Sequence, residues 1–187
     1  MSLACCDCFF RLFDCFCFQN SSSPSTFIPK RIFPSPYIVT PISYQQWSRD
    51  VLPLTIKWAE IAMQEGRLAH FQLALSISEC VERRRWSVLE WFWCRDAAGK
   101  VYGIMNRVIE ESFGKEKSLS IKILCVDPRH MKEGVGSVLV AQVEWDAIAM
   151  GISVVEVFSH QEASEFYLRR GFLPLENRPG PFYKRLE

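Results

Sequence analysis

The chain has 187 residues, 49% of them apolar, enough for one domain with a real core and too few for several. Its 22 Lys and Arg nearly balance 21 Asp and Glu, so no global field draws it to nucleic acid or to an anionic membrane. Its eight cysteines lack framework spacing, which suits a reducing compartment, read here as the cytoplasm, and excludes a disulfide scaffold.

In chain order, a leader comes first. Cys5, Cys6, Cys8, Cys15 and Cys17 crowd it, among Phe9, Phe10, Phe13, Phe16 and Phe18. Asp7, Arg11 and Asp14 interrupt the apolar run, which is too short and too charged to span a bilayer. It lacks the basic start and small-residue cleavage site of a signal peptide, and Ser2 rules out myristoylation. The plainest reading is an unstructured extension or a misplaced start codon. Acylation of the thiols, giving peripheral membrane contact, stands next. Zinc held by Cys5-x-x-Cys8 and Cys15-x-Cys17 stands last, because the second pair is too close. Asn20 to Pro36 is Ser- and Pro-rich and reads as a linker. Residues 1–36 are therefore expected to lie outside the folded domain, and residues 37–187 to form it.

Tyr37 to Ile42 reads as a first strand. Residues 43–82 carry helical patterns, such as Trp47, Val51, Leu54, Trp58 and Ile61, with Gly66 as a break. Ser87 to Cys94 is a tryptophan-rich strand. Asp96-Ala97-Ala98-Gly99 turns it into Val101 to Ile109. Ser112 to Glu116 turns again, and Leu119 to Val126 is the next strand.

That strand runs into Asp127-Pro128, a polar loop, Gly134-Val135-Gly136 and a helical pattern on Val135, Val138, Leu139, Val143, Ala147 and Met150 that ends at Gly151. A strand that bends through glycines into a helix start suits an anion. The first helical N–H groups have no partners, the peptide dipoles favour negative charge, and glycine lets a phosphate approach the backbone. No lysine follows Gly136, so this is not a P-loop. Leu139 stands where a dinucleotide fingerprint needs its third glycine. Ile152 to Phe158 then reads as a buried strand, and the segment from Ser159 to Arg170 as a short helix stopped by Gly171.

Three features together resemble the GCN5-related N-acetyltransferases: Val126-x-Pro128 followed by Gly134-Val135-Gly136, the helix and buried strand behind it, and Ala163-x-x-Phe166-Tyr167-x-x-x-Gly171-Phe172. The resemblance is strong from about Trp86 onward. It implies an α+β fold, the acyl-CoA N-acyltransferase fold, with a mixed, mostly antiparallel sheet of six to seven strands flanked by helices. It implies transfer of an acetyl group from acetyl-CoA to a primary amine, by direct attack in a ternary complex. The acceptor is a small molecule or a peptide. Coenzyme contacts are implied for Leu124, Cys125, Val126, Met131, Lys132, Glu133, Gly134, Val135, Gly136, Ser137 and His160, and no metal. The end of the fourth strand is implied to offer a backbone N–H to the oxyanion, and Tyr167 a proton to the leaving thiolate. Read without the family, Tyr167 is a core or coenzyme-packing aromatic, and His160 a solvated strand-end group.

Met131 departs from the family, which usually has Gln or Arg there. The general base is open among Glu110, Glu111, Lys122, Asp127 and a water chain. The alternative function is a weak or inactive acyl-CoA-binding regulatory module. A third possibility is a tethered adaptor that works through the leader.

Overall fold

The computed structural model describes residues 35–66, 90–112, 115–159, 161–175 and 181–186. The leader and most of the linker, the helical pattern beyond Gly66, the start of the Trp-rich strand and His160 lie outside them.

Strand β1 is Ile38–Pro41. Ser43 and Gln46 then form a reciprocal cap: the Gln46 side chain accepts from the Ser43 backbone N–H at 3.0 Å, and Ser43 Oγ accepts from the Gln46 N–H at 3.3 Å. The helix that follows opens over Tyr44–Gln46, widens to π geometry over Trp47–Val51, and settles into α1, Leu52–Gln64. Pro53 lacks the N–H that an unbroken α-ladder would use, and the wide turn sits just before it.

A meander follows: β2 (Glu90–Arg95), β3 (Val101–Glu111) and β4 (Lys117–Val126), each antiparallel to the last. A 3₁₀ turn at Pro128–His130 leads to α2, Val135–Ala149. Strand β5, Val154–Phe158, returns parallel to β4. Helix α3 is Gln161–Leu168. The sheet closes with β6 (Leu173–Pro174) and β7 (Pro181–Arg185), in the order β1-β2-β3-β4-β5-β7-β6. This is the mixed, mostly antiparallel seven-stranded sheet expected from the family.

The last two strands were not legible locally. The sequence of residues 173–183, with three prolines, reads as a loop. Of its three prolines, Pro174 and Pro181 sit at strand margins, where a missing N–H is tolerated, Pro179 lies outside the described residues, and β7 is held by its pairing with β5.

Two apolar clusters sandwich the sheet. On one face Leu139, Val140, Val143 and Ala147 of α2 pack on Met105, Leu119, Ile121, Val155 and Val157, with Tyr167, Phe172 and Phe182 beside them. On the other face Trp47, Val51 and Trp58 pack on Trp91, Trp93, Ile104, Ile123 and Cys125. Gly103 lets α2 lie close: a Cβ there would come within 2.9 Å of Val135 Cγ1 and 3.1 Å of Leu139 Cδ1. Arg107, buried on the α2 face, pairs with Glu90 at 2.9 Å and with Asp146 of α2, and lies over the Phe92 ring. A buried guanidinium with two carboxylates ties β2 and β3 to the helix.

Candidate functional site

Two irregularities in β4 build the site. The first is a bulge at Lys122. Ile121 pairs with Arg107 and Ile123 with Asn106, so Lys122 is an extra residue in the strand. An extra residue reverses the alternation of side chains. Leu119 and Ile121 point to the α2 face, whereas Ile123 and Cys125 point to the α1 face. Leu124 and Val126 are half-buried and turn back toward α2.

The second is that β5 leaves β4 at the same point. Their ladder ends at Ile121 and Val157. Beyond it the two strands diverge, and among the described residues no strand pairs with that edge of β4. The Asp127 N–H bonds the Tyr102 carbonyl at 2.8 Å, which makes this a hydrogen-bonded pair of the β3–β4 ladder. Antiparallel pairs alternate, so Cys125 and Ile123 also turn their backbone groups to β3. Leu124 and Val126 turn theirs to the open edge. Of the three strand residues expected to touch the coenzyme, two present their main chain to the gap. Cys125 does not, and burial followed by the Asp127 charge raises its thiol to about 12, leaving it inert.

At the end of the open edge stands the start of α2. Gly134, its N-cap, is left-handed at φ +89° and makes no side-chain cap. A Cβ on Gly134 would meet nothing within 4 Å, so the space over it is clear. The Val138 N–H is bonded to the Gly134 carbonyl at 3.0 Å, which leaves the N–H groups of Val135, Gly136 and Ser137 ahead of the intrahelical ladder. A left-handed residue beside a right-handed one turns successive N–H groups to one side and makes a concave anion seat. Met131, Lys132, Glu133 and Gly134 are exposed, and Lys132 is itself left-handed at φ +69°. Gly136 has a different reason to be glycine. A Cβ there would stand 3.3 Å from the Phe166 ring, so its absence lets α3 pack on the first turn of α2.

The loop is braced from below. His130 Nδ1 lies 2.9 Å from Glu133, and its Nε2 lies 3.2 Å from the Lys100 ammonium. An ammonium only donates, so the consistent tautomer carries its proton on Nδ1, toward Glu133. The same imidazole stands edge-on to Tyr102, whose hydroxyl bonds Asp96 at 2.9 Å. This brace went unread in the sequence, because His130, Lys100 and Asp96 meet only through the hairpin.

Asp127 is the turn residue. Its side chain accepts from the Arg129 N–H at 3.1 Å and pairs with the Arg129 guanidinium at 2.6 Å. Burial opposes its charge, but the bonds to Arg129 outweigh burial and hold the carboxyl below its ordinary range. A buried, committed carboxylate of low pKa is a poor base. Glu110 pairs with Lys122 at 2.5 Å beside the bulge, and Glu111 is exposed at the strand end.

Tyr167 is 5% exposed, in the last turn of α3, with ring neighbours Phe166 at 4.9 Å, Phe172 at 5.5 Å and Phe182 at 6.3 Å. Gly171 is left-handed at φ +80°, and the Phe172 N–H returns to the Tyr167 carbonyl at 3.1 Å, a Schellman closure that brings Phe172 against the tyrosine. Burial raises the phenol well above its ordinary value, so it stays protonated across the neutral range. Its ring belongs to the apolar cluster on the α2 face. Among the described residues no group of three His, Cys, Asp or Glu is placed to hold a metal, and no helix is long and apolar enough to cross a membrane.

The geometry agrees with what known proteins show. Residues 89–174 match the acetyltransferase (GNAT) domain. No curated protein matches the chain. Among solved structures, a GNAT-family acetyltransferase from Listeria monocytogenes superposes with a TM-score of 0.60 at 15% identity, over 80% of this chain and 95% of that one. A GNAT-family acetyltransferase from Staphylococcus aureus gives 0.56 at 14%, over 81% and 99%. A Trypanosoma brucei acetyltransferase gives 0.53 at 19%, over 81% and 99%. At such identities the likeness is one of fold. Residues 89–174 are thus similar in sequence to the acetyltransferase (GNAT) domain, and the chain has the fold of the acetyltransferases it superposes on.

Proposed function

We propose that this protein is an acetyl-CoA-dependent N-acetyltransferase acting on a primary amine. The observation that carries the reading is the left-handed, open Gly134 at the head of α2, set at the end of the β4 edge that β5 has vacated. A diphosphate fits the N–H groups of Gly134 to Ser137, and an extended amide-bearing arm fits the free edge at Leu124 and Val126. Acetyl-CoA, as second substrate, supplies the activated acyl group.

The amine attacks in its neutral form and forms the new C–N bond as the C–S bond breaks. A backbone N–H on the open edge of β4, at Leu124 or Val126, stabilises charge growing on the carbonyl oxygen. The proton lost by the amine passes to water or a nearby base. Tyr167, uncharged and next to Phe166, which packs on the first turn of α2, donates to the departing sulfur and recovers its proton from solvent. Met131 in place of the usual Gln or Arg leaves these backbone donors untouched.

Isothermal titration with acetyl-CoA, followed by a thiol-release screen over amine classes, tests this reading. Saturable binding and release with at least one amine class support it. Binding without release on any amine would favour an acyl-CoA-binding regulatory module, and no binding would sink both.

A further inference from the structure

Buried polar groups are unevenly placed on this sheet. On the α2 face Arg107 is fully paired. On the opposite face the alternation of β3, β4 and β5 puts Asn106, Ser118, Ser120 and Glu156, all buried. Glu156 accepts from the Ser118 hydroxyl at 3.2 Å. Asn106 is different. It is 0% exposed, and neither its Oδ1 nor its Nδ2 has a partner among the described residues. An orphaned buried amide forfeits the hydration of two donors and an acceptor, and native proteins seldom leave that unexplained.

Its position supplies the explanation. Asn106 pairs with Ile123, the residue after the bulged Lys122, and so lies one rung from the point where β5 leaves β4. A second orphan lies in the cluster that includes Ile123: Trp58 of α1, 1% exposed, has its indole N–H unpartnered among the described residues. We infer that this spot beside the bulge receives the acceptor, with the Asn106 carbonyl oxygen accepting from the attacking amine. The inference rests on the reading of the site as an acetyl-CoA site. The surroundings choose the class of amine. Trp58, Trp91 and Ile123 offer apolar surface, Glu110 is already neutralised by Lys122 beside the bulge, and Glu156 on the same face is engaged by the Ser118 hydroxyl. A primary monoamine on an apolar stem fits, and a polycation does not.

The test uses the full chain. Asn20, Asn106 and Asn177 are its three asparagines, so selective ¹⁵N-asparagine labelling gives three side-chain amide pairs to follow. With the protein saturated by coenzyme A, butylamine is expected to shift the Asn106 pair in a saturable way, and putrescine to do so more weakly. In turnover, Asn106→Leu should raise the butylamine KM about tenfold and leave the acetyl-CoA Kd within about twofold, the effect of losing one hydrogen bond to the acceptor alone. An Asn106 pair unmoved by both amines while acetyl-CoA binds overturns this inference alone. So does an Asn106→Leu enzyme with unchanged butylamine KM, which marks a buried amide that only wanted water. A stronger response to putrescine overturns the choice of class. Should acetyl-CoA itself fail to bind, the reading of the site falls first.

Discussion

The two faces of this sheet follow different rules. On the α2 face nearly everything buried is apolar, and the one buried charge among the described residues is doubly paired. On the α1 face a tryptophan cluster covers one part, and beside it lie a carboxylate, two serines and an unsatisfied amide. The difference teaches where stability and chemistry are kept apart. The α2 face holds the helix whose first turn we propose as the anion seat, and tight apolar packing keeps that turn in place. The other face carries Ser118, Ser120 and Glu156 within the paired part of β4 and β5, and Asn106 beside the point where those strands part.

Several substitutions can break or sharpen this contrast. Leu139→Ala removes a fully buried side chain from the α2 face and should cost about 3 kcal/mol in urea unfolding, with acetyl-CoA affinity retained in the folded fraction. If affinity collapses while stability holds, the face is part of the binding surface and the division is wrong. Tyr167→Phe keeps the ring in its aromatic nest but removes the hydroxyl. Turnover should fall about 100-fold with acetyl-CoA binding unchanged. An intact rate would leave Tyr167 as core only.

A smaller effect separates the two loop glycines. Gly134→Val forces a β-branched residue to φ +89° in the open anion seat and should weaken acetyl-CoA binding about tenfold in calorimetry. Gly136→Ala meets the Phe166 ring and should show mainly in melting temperature, by about 1 kcal/mol of stability. Equal effects on binding would mean that the ligand also needs the space over the Gly136 Cα, and not only its N–H.

The smallest expected effect lies in alkali. The Cys125 thiol is raised to about 12 in the folded protein, chiefly by burial. The unfolded thiol titrates near its ordinary value of about 8.5, so above that pH the unfolded chain has lost a proton that the folded chain keeps. The contribution of Cys125 to stability is thus whole below about pH 8.5 and declines as pH rises toward 12. Cys125→Ala should flatten the fall in stability measured between about pH 8.5 and 10.5, and an unaltered slope would contradict a buried, neutral thiol.

Much of this was present in local patterns. Period-two and period-3.6 apolar spacing marked five strands and the helix after the glycine loop. Strand-to-helix chemistry at Gly134 marked the anion seat, because a helix start carries its own donors wherever it sits. The order Val126-x-Pro128, Gly134-x-Gly136 and Phe166-Tyr167 marked the family. What sequence could not mark depends on partners distant along the chain. The bulge at Lys122 exists only because β3 is paired in a particular register, and nothing in Ile121-Lys122-Ile123 distinguishes it from regular alternation. The brace from Lys100 through His130 to Glu133 closes only when a hairpin tip reaches the loop.

The chain alone thus determined five strands, the helix start with its free donors and the resemblance to the family, since backbone donors, periodic apolar faces and turn residues act over a few neighbours. Tertiary structure alone decided that β4 turns Leu124 and Val126, and not Cys125, to the vacant edge. It alone decided that Asn106 ends buried without a partner, and that Gly136 is small for the sake of Phe166. Each of those outcomes is set by what lies across a sheet or between two helices, and no run of consecutive residues carries that information.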